Sequence, residues 1–230
     1  MVEPRRAPDR SRSRGAPALS PGLWPLLPSR GRRSGLADRG SPAARGLRRS
    51  RLTVSTIITH AVVATALAPL APRGVSRSRL AFALAVVSVF PDLDVVSFRL
   101  GIPYDHPLGH RGLSHSLVFA LALAALVARF EFGTVASESG TRWRLFLLLF
   151  AAAASHGILD SLTDGGLGVG FLLPFSAQRF FAPIRPLPVS PIGVDSSVLR
   201  ILRTEALYVW LPALGFMCTA LFARRRKDWR

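Results

Sequence analysis

Histidine is scarce in this 230-residue chain: His60, His106, His110, His115 and His156 are its five copies. His110 and His115 lie in the octet Gly109-His110-Arg111-Gly112-Leu113-Ser114-His115-Ser116, which opens a long apolar run. His156 and Asp160 stand four residues apart near the end of another such run, a spacing that puts both on one helix face. Asp164 repeats the interval if that helix continues. Asp92 and Asp94 follow Pro91 at the end of a third run, and His60 lies near the start of a fourth. Imidazole with carboxylate is a donor set for a divalent cation, Zn²⁺ above all, with Mn²⁺, Fe²⁺ or Mg²⁺ as alternatives. Cys218 is the single cysteine, so neither a thiolate cluster nor an intrachain disulfide can form.

These residues need elements that bring them together. Five apolar blocks supply candidates: Ser55–Leu70, Leu80–Phe90, Leu113–Phe130, Trp143–Leu159 and Ala206–Ala223. Alanine and leucine outnumber β-branched residues in them, which favours helices. A helix needs about 20 apolar residues to cross a membrane. The third, fourth and fifth blocks approach that length, the first is marginal and the second is short. The expected fold is all-α, a membrane-embedded bundle of about five helices. Before the last of them, between Thr163 and Arg200, runs a long Gly/Pro-rich stretch that reads as an irregular, ordered loop. Helices that alternate up and down place a start, an end, a start and an end on the same side. His60, the pair Asp92 and Asp94, the pair His110 and His115, and the group His156, Asp160 and Asp164 then converge.

Simpler readings compete at single positions. A lone His60 can be a satisfied helix histidine, and Asp92 with Asp94 can cap a turn. His106, followed by Pro107, reads as a loop residue. Ser116 fits a helix cap better than a nucleophile. Arg111 can pair with a nearby aspartate or hold an anionic oxygen through its planar fork of donors. Glu205 falls on the same side of the bundle, as a base, an orienting partner or a partner of Arg203. Taken together the set favours a metal site. Ionisable groups in or beside membrane segments are costly and point to function.

Charge separates the termini from the rest. Residues 1–51 carry +10 of the net charge of +17 and are rich in Pro, Ser and Gly, so they read as a disordered basic tail. Residues 52–224 form the expected membrane-embedded domain, and 225–230 a short basic C-terminal tail. Elsewhere the basic residues punctuate apolar blocks as membrane-flanking charges do, which argues for membrane lipid and against nucleic acid as the partner. Within 52–230 they are denser on the end opposite the histidines. The positive-inside rule then puts the site on the extracytoplasmic side of a plasma or inner membrane, although the basic tail pulls the other way. Tyr208 and Trp210 read as interfacial aromatics.

Several motifs carry a family resemblance: THAVVATAL around His60, PDLDVVSF around Asp92, GIPYDHPLGHRGLSHS running to Ser116, and SHGILDSLTDGG around His156 and Asp160. With RFFAPIRPLPVSPIGV and TEALYVWLP they resemble the YdjM-like family of membrane-bound metal-dependent hydrolases over about residues 52–224. The resemblance implies metal ligation by His60, Asp92, His115, His156 and Asp160, with His110, Asp94 and Asp164 as close candidates. The ligand order also looks like part of the zinc-dependent phospholipase C and P1-type nuclease pattern, without that pattern's downstream HxxxE segment. On this reading a metal-activated water attacks a phosphoester of a lipid or lipid-linked substrate. Asp94 or Asp164 accepts its proton, and Arg111 steadies charge on a phosphoryl oxygen. A non-catalytic membrane protein with a structural metal site is the alternative, and a transporter ranks below it.

Overall fold

The apolar blocks fold as helices whose inner faces are narrow and small. In a computed structural model, residues 53–54, 57–134, 139–191 and 198–228 are described. The chain divides into Met1–Arg48 and Arg49–Arg230, and every described residue belongs to the second unit. The tail assigned to 1–51 lies outside the described residues.

Helix α1 spans Ile57–Thr65 and is followed by a 3₁₀ turn at Ala68–Leu70. Helix α2, Arg77–Val89, starts at Ser76, whose Oγ accepts the Arg79 N–H at 3.4 Å. A 3₁₀ segment, Phe90–Val95, and the short α3, Val96–Arg99, prolong the same rod. Pro91 is tolerated there because the first turn of a helical segment leaves its N–H groups unused. Helix α4 is Leu117–Glu131, capped by Ser116, whose Oγ accepts the Phe119 N–H at 3.1 Å. Helix α5 is Ser139–Ser161. Helix α6, Val198–Glu205, runs through a π turn at Ala206–Trp210 into α7, Leu211–Asp228. The all-α bundle of about five helical rods is therefore present among the described residues. Extended pairing among the described residues is limited to a two-residue antiparallel match of Thr53–Val54 with Ser190–Pro191 and two isolated bridges, Thr163 with Leu187 and Val169 with Phe180.

Among the described residues, three rods are long and apolar enough to cross a membrane: Arg77–Arg99, Gly140–Ser161 and Val198–Arg226. Two block lengths need correction. The second block, expected to be short, grows to 23 residues because the 3₁₀ segment and α3 continue it. At 1.5 Å per residue that is roughly 34 Å, enough for a hydrocarbon core of about 30 Å. The third block, expected to approach a full span, yields only the 15 residues of α4, because Leu113–His115 is taken by a 3₁₀ turn. Residues 225–228, set aside as a tail, continue α7.

Burial follows the helical period. Leu80, Leu84 and Val87 of α2 meet Ala120 and Ala124 of α4 and Leu145, Leu149 and Ala152 of α5 in one core. Small residues let helix backbones approach where lipid supplies no hydrophobic drive for association. Large apolar side chains such as Phe82, Phe130, Trp143, Leu207 and Phe222 point outward and are exposed. That inverted distribution suits a hydrocarbon surrounding. The rod Val198–Arg226 is the extreme case, with only 6% of its most apolar stretch buried. Arg79 of α2 ties to Glu131 of α4, Nε to Oε1 at 2.6 Å, at the end remote from the histidines.

The Gly/Pro-rich loop is irregular but well tethered over the described part. Ala182 N–H donates to Ser161 O at 2.9 Å, and Val169 and Phe180 exchange two bonds of 2.9 Å. The Leu117 N–H at the start of α4 donates to Phe171 O at 3.0 Å. The loop thus folds back against the end of α5 and the start of α4, where the histidines are.

Candidate metal centre

The buried stripe of α5 runs Leu145, Leu149, Ala152, and then His156 and Asp160. The polar pair simply continues the core face to the end of the helix. On α1 the same holds for His60 and Ala64, both fully buried. Asp92 emerges where α2 gives way to the 3₁₀ segment, and His115 closes the turn before α4. Four helix ends therefore meet. Asp92, His115, His156 and Asp160 each offer one ligand atom, and these atoms all lie within 4.8 Å of one another.

The two central imidazoles are held from behind. His156 Nδ1 lies 2.7 Å from the carbonyl of Ser88, which can only accept, so Nδ1 carries the proton. His115 Nδ1 faces Asp94 Oδ2 at 3.1 Å and Ser114 Oγ at 2.9 Å. Ser114 donates its own proton to Asp94, which leaves its oxygen free to accept from His115. Both rings consequently turn Nε2 inward, and the two Nε2 atoms stand 2.9 Å apart. Two lone pairs at that distance repel unless a proton or a cation lies between them. Asp160 Oδ2 is 3.2 Å from His115 Nε2, and Asp92 Oδ1 is 3.4 Å from His156 Nε2. Tetrahedral ligands at zinc bond lengths are separated by about 3.3 Å. The donor chemistry and spacing fit a divalent cation.

Around this core the other expected residues take distinct places. His60 stacks on His156 with ring centroids 3.8 Å apart, and its Nε2 is 3.6 Å from Asp160 Oδ1. Among the described residues neither of its ring nitrogens has a hydrogen-bond partner, although both are fully buried. His60 is thus available as a further ligand. His110 does not join the inner group. Its Nδ1 binds Asp94 Oδ1 at 2.6 Å, its Nε2 is buried without a hydrogen-bond partner, and its ring meets His115 edge-on. Asp94 does not point inward either. It receives His110, His115, the Ser114 hydroxyl and the Arg111 backbone N–H at 3.1 Å, the position of an orienting carboxylate.

Asp164 departs from expectation. Helix α5 ends at Ser161, so the four-residue interval is not continued. Asp164 is exposed, and its Oδ1 accepts the Val189 N–H at 2.9 Å. Arg111 is fully buried, with Nε 3.0 Å from Asp160 Oδ2, an ion pair by distance although the N–H is poorly aligned for a hydrogen bond. Its Nη1 donates to Thr163 Oγ1 at 3.0 Å and Gly165 O at 3.1 Å. Pairing, rather than an exposed anion contact, describes what it does. His106 is an exposed loop residue whose Nδ1 accepts the Leu108 N–H at 3.1 Å. Glu205 accepts from Thr59 Oγ1 at 2.7 Å, and Thr59 in turn accepts from Trp210 Nε1 at 2.7 Å.

The octet itself is shaped by close backbone approach. A Cβ on Gly112 would sit 2.3 Å from Pro107 O, and one on Gly109 would sit 2.2 Å from Pro103 O. Between them Arg111 adopts φ 59°, a left-handed conformation that costs a non-glycine residue roughly 1–3 kcal/mol. That conformation aims its N–H at Asp94 while its carbonyl accepts the Gly170 N–H at 2.9 Å. Arg179, in the Gly/Pro-rich loop, clamps the arrangement. Its Nη1 donates to the carbonyls of His110, Arg111 and Gly168, and its Nη2 to those of Tyr104 and His106. Only its place within RFFAPIRP hinted at such a role, because carbonyl partners leave no side-chain signature.

In the metal-free site burial works against charge on His115, but its hydrogen bonds to Asp160 and Asp94 outweigh that and push its pKa up to about 9.

Long apolar helices and a buried Asp/His cluster where their ends meet define a polytopic membrane protein with a constellation that could hold a metal ion. The chain belongs to the family described as YdjM inner membrane protein, whose model matches residues 55–228. It is 36% identical over 180 residues to the inner membrane protein YbcI of Escherichia coli (strain K12), covering 74% of this chain and 99% of that protein. No solved structure matches.

Proposed function

We propose that the chain is a membrane-embedded, metal-dependent hydrolase whose cation is held by Asp92, His115, His156 and Asp160, with His60 beside them. One observation carries the reading: two back-tethered imidazoles direct their Nε2 atoms at each other across 2.9 Å, with two carboxylates close by. A bound Zn²⁺, Mn²⁺ or Mg²⁺ would supply a Lewis acid that makes hydroxide available near neutral pH. Asp94 keeps His110 and His115 oriented, and Arg111 offsets the charge of Asp160. Position at a membrane bundle's end supports a phosphoester of a lipid or lipid-linked molecule as substrate. So does a ligand order shared in part with zinc-dependent phospholipase C. The concentration of arginines at the other end supports a site on the extracytoplasmic side.

The test is elemental analysis of purified wild type against His156→Ala, followed by assay of lipid phosphoesters with each metal. Stoichiometric metal lost in the variant, with turnover in wild type, is the expected result. Wild-type protein that binds no metal removes the reading. A structural metal site is the second reading, favoured by burial: His115, His156 and Asp160 are each at most 4% exposed. It predicts metal without turnover.

A further inference from the structure

The end of the bundle remote from the histidines holds a second polar feature. After the turn at Ala68–Leu70 the chain continues through Ala71 and Pro72 to Arg73, and this segment forms one wall of a cavity of about 290 Å³. Arg144, near the start of α5, and Ala220, Ala223 and Arg224 of α7 line the rest. Arg144 precedes His156 by twelve residues, which along a helix is about 18 Å. The cavity and the metal cluster are therefore separate sites.

Three arginines line this cavity, and among the described residues no carboxylate lines it. Arg224 is fixed in place: its Nη1 donates to Pro69 O at 3.1 Å and Ala71 O at 2.5 Å. Arg73 and Arg144 are exposed and make no ion pair or side-chain hydrogen bond among the described residues. The remaining wall is Pro69, Leu70, Ala71, Pro72, Ala220 and Ala223, so an apolar flank adjoins the charge. Leu70 is itself 45% exposed. Two spans, Gly140–Ser161 and Val198–Arg226, have their Arg144 and Arg224 ends here, which puts the cavity at the level of lipid headgroups.

We propose that this cleft binds the phosphate of an anionic phospholipid, with the lipid's acyl chains against its apolar flank. Guanidinium is the cation whose planar fork matches phosphate oxygens. Basic pockets between membrane helices are suited to lipid headgroups, since attraction to an anionic leaflet adds to each residue's contact. The apolar wall distinguishes a lipid from free phosphate, which would gain nothing from it. The proposal is independent of the metal reading.

The test uses the full chain in detergent, titrated with phosphatidylglycerol or phosphatidylcholine and read by native mass spectrometry. Wild type is expected to retain phosphatidylglycerol selectively. Arg73→Gln with Arg144→Gln should weaken it roughly 30-fold, each single change about 5-fold. Arg142→Gln, an exposed arginine on the same end that does not line the cavity, should leave binding unchanged. The replaced side chains are exposed and unpaired, so helix content by circular dichroism should hold; the single variants carry the test if the double variant fails to purify. The idea is overturned if the double variant or both singles bind like wild type, or if Arg142→Gln weakens binding as much. Equal retention of phosphatidylcholine also overturns it, as does displacement of the lipid by millimolar inorganic phosphate.

Discussion

Replacing Asp94 by Asn tests whether the cluster is a metal site held from behind. Asp94 accepts from four donors at once: His110 Nδ1 at 2.6 Å, His115 Nδ1 at 3.1 Å, the Arg111 N–H at 3.1 Å and the Ser114 hydroxyl. An amide keeps one acceptor oxygen and turns a donor NH₂ toward the remaining groups. Whichever way it lies, donor faces donor on one side, and the charge that makes His115 a better ligand is gone. Loss of such an orienting partner typically weakens metal binding 10- to 100-fold. That corresponds to about 1.4–2.8 kcal/mol. Competition against a chromophoric chelator, in detergent and at fixed pH, measures the change directly. Zinc content at saturating metal should stay stoichiometric, because all four inner groups remain. Wild-type affinity in the folded Asn variant would refute the reasoning, since Asp94 would then have no hold on the ligands.

pH supplies a second check. His115 has its pKa raised from 6.5 to about 9 in the metal-free fold, so its protonation stabilises that fold below about pH 6.5, and the contribution disappears as pH rises through about 9. Metal must displace the same proton, so apparent metal affinity should climb steadily between pH 6.5 and 9 and then level, as read by chelator competition across pH. Asp164→Asn should leave metal affinity unchanged, because an amide oxygen still accepts the Val189 N–H; a loss like that of Asp94→Asn would return Asp164 to the site. Gly112→Ala should lower the thermal midpoint and the metal content together, since its Cβ would overlap Pro107 O at 2.3 Å and force the octet open, an overpacking cost of about 1–3 kcal/mol or more. Unchanged melting would show that the loop relaxes freely.

What could be read from sequence was what local spacing determines. His156 and Asp160 share a face because a helix fixes i and i+4, and their Nε2–Oδ2 separation of 3.8 Å reflects it. The meeting of four helix ends followed from alternation alone. The condition on Asp164, that the helix continue to it, is not met because helix termination is decided by partners outside the helix: Thr163 Oγ1 donates to Asp160 O at 2.7 Å, and the Asp164 N–H donates to Leu187 O at 3.0 Å. The second and third blocks were misjudged in length because 3₁₀ turns extend one rod and shorten the other. Arg179 and the Ser88 carbonyl escaped notice for a shared reason: each acts on or through backbone atoms of a distant segment, where no residue type marks the contact.

The charge balance of the cluster links these parts. Asp92, Asp94 and Asp160 bring three negative charges into the cluster, and Arg111 returns one positive charge beside Asp160. With neutral imidazoles the cluster is left at −2, a burden that a low-dielectric interior does not tolerate. A divalent cation cancels it in full. His115 is the imidazole whose surroundings favour the charged form: hydrogen bonds to Asp160 and Asp94 outweigh its burial and push its pKa up to about 9. If a cation binds here, its release would be coupled to proton uptake by His115, whose imidazole, like that of His156, is directed toward the centre by its tether, to Asp94 for His115 and to the Ser88 carbonyl for His156.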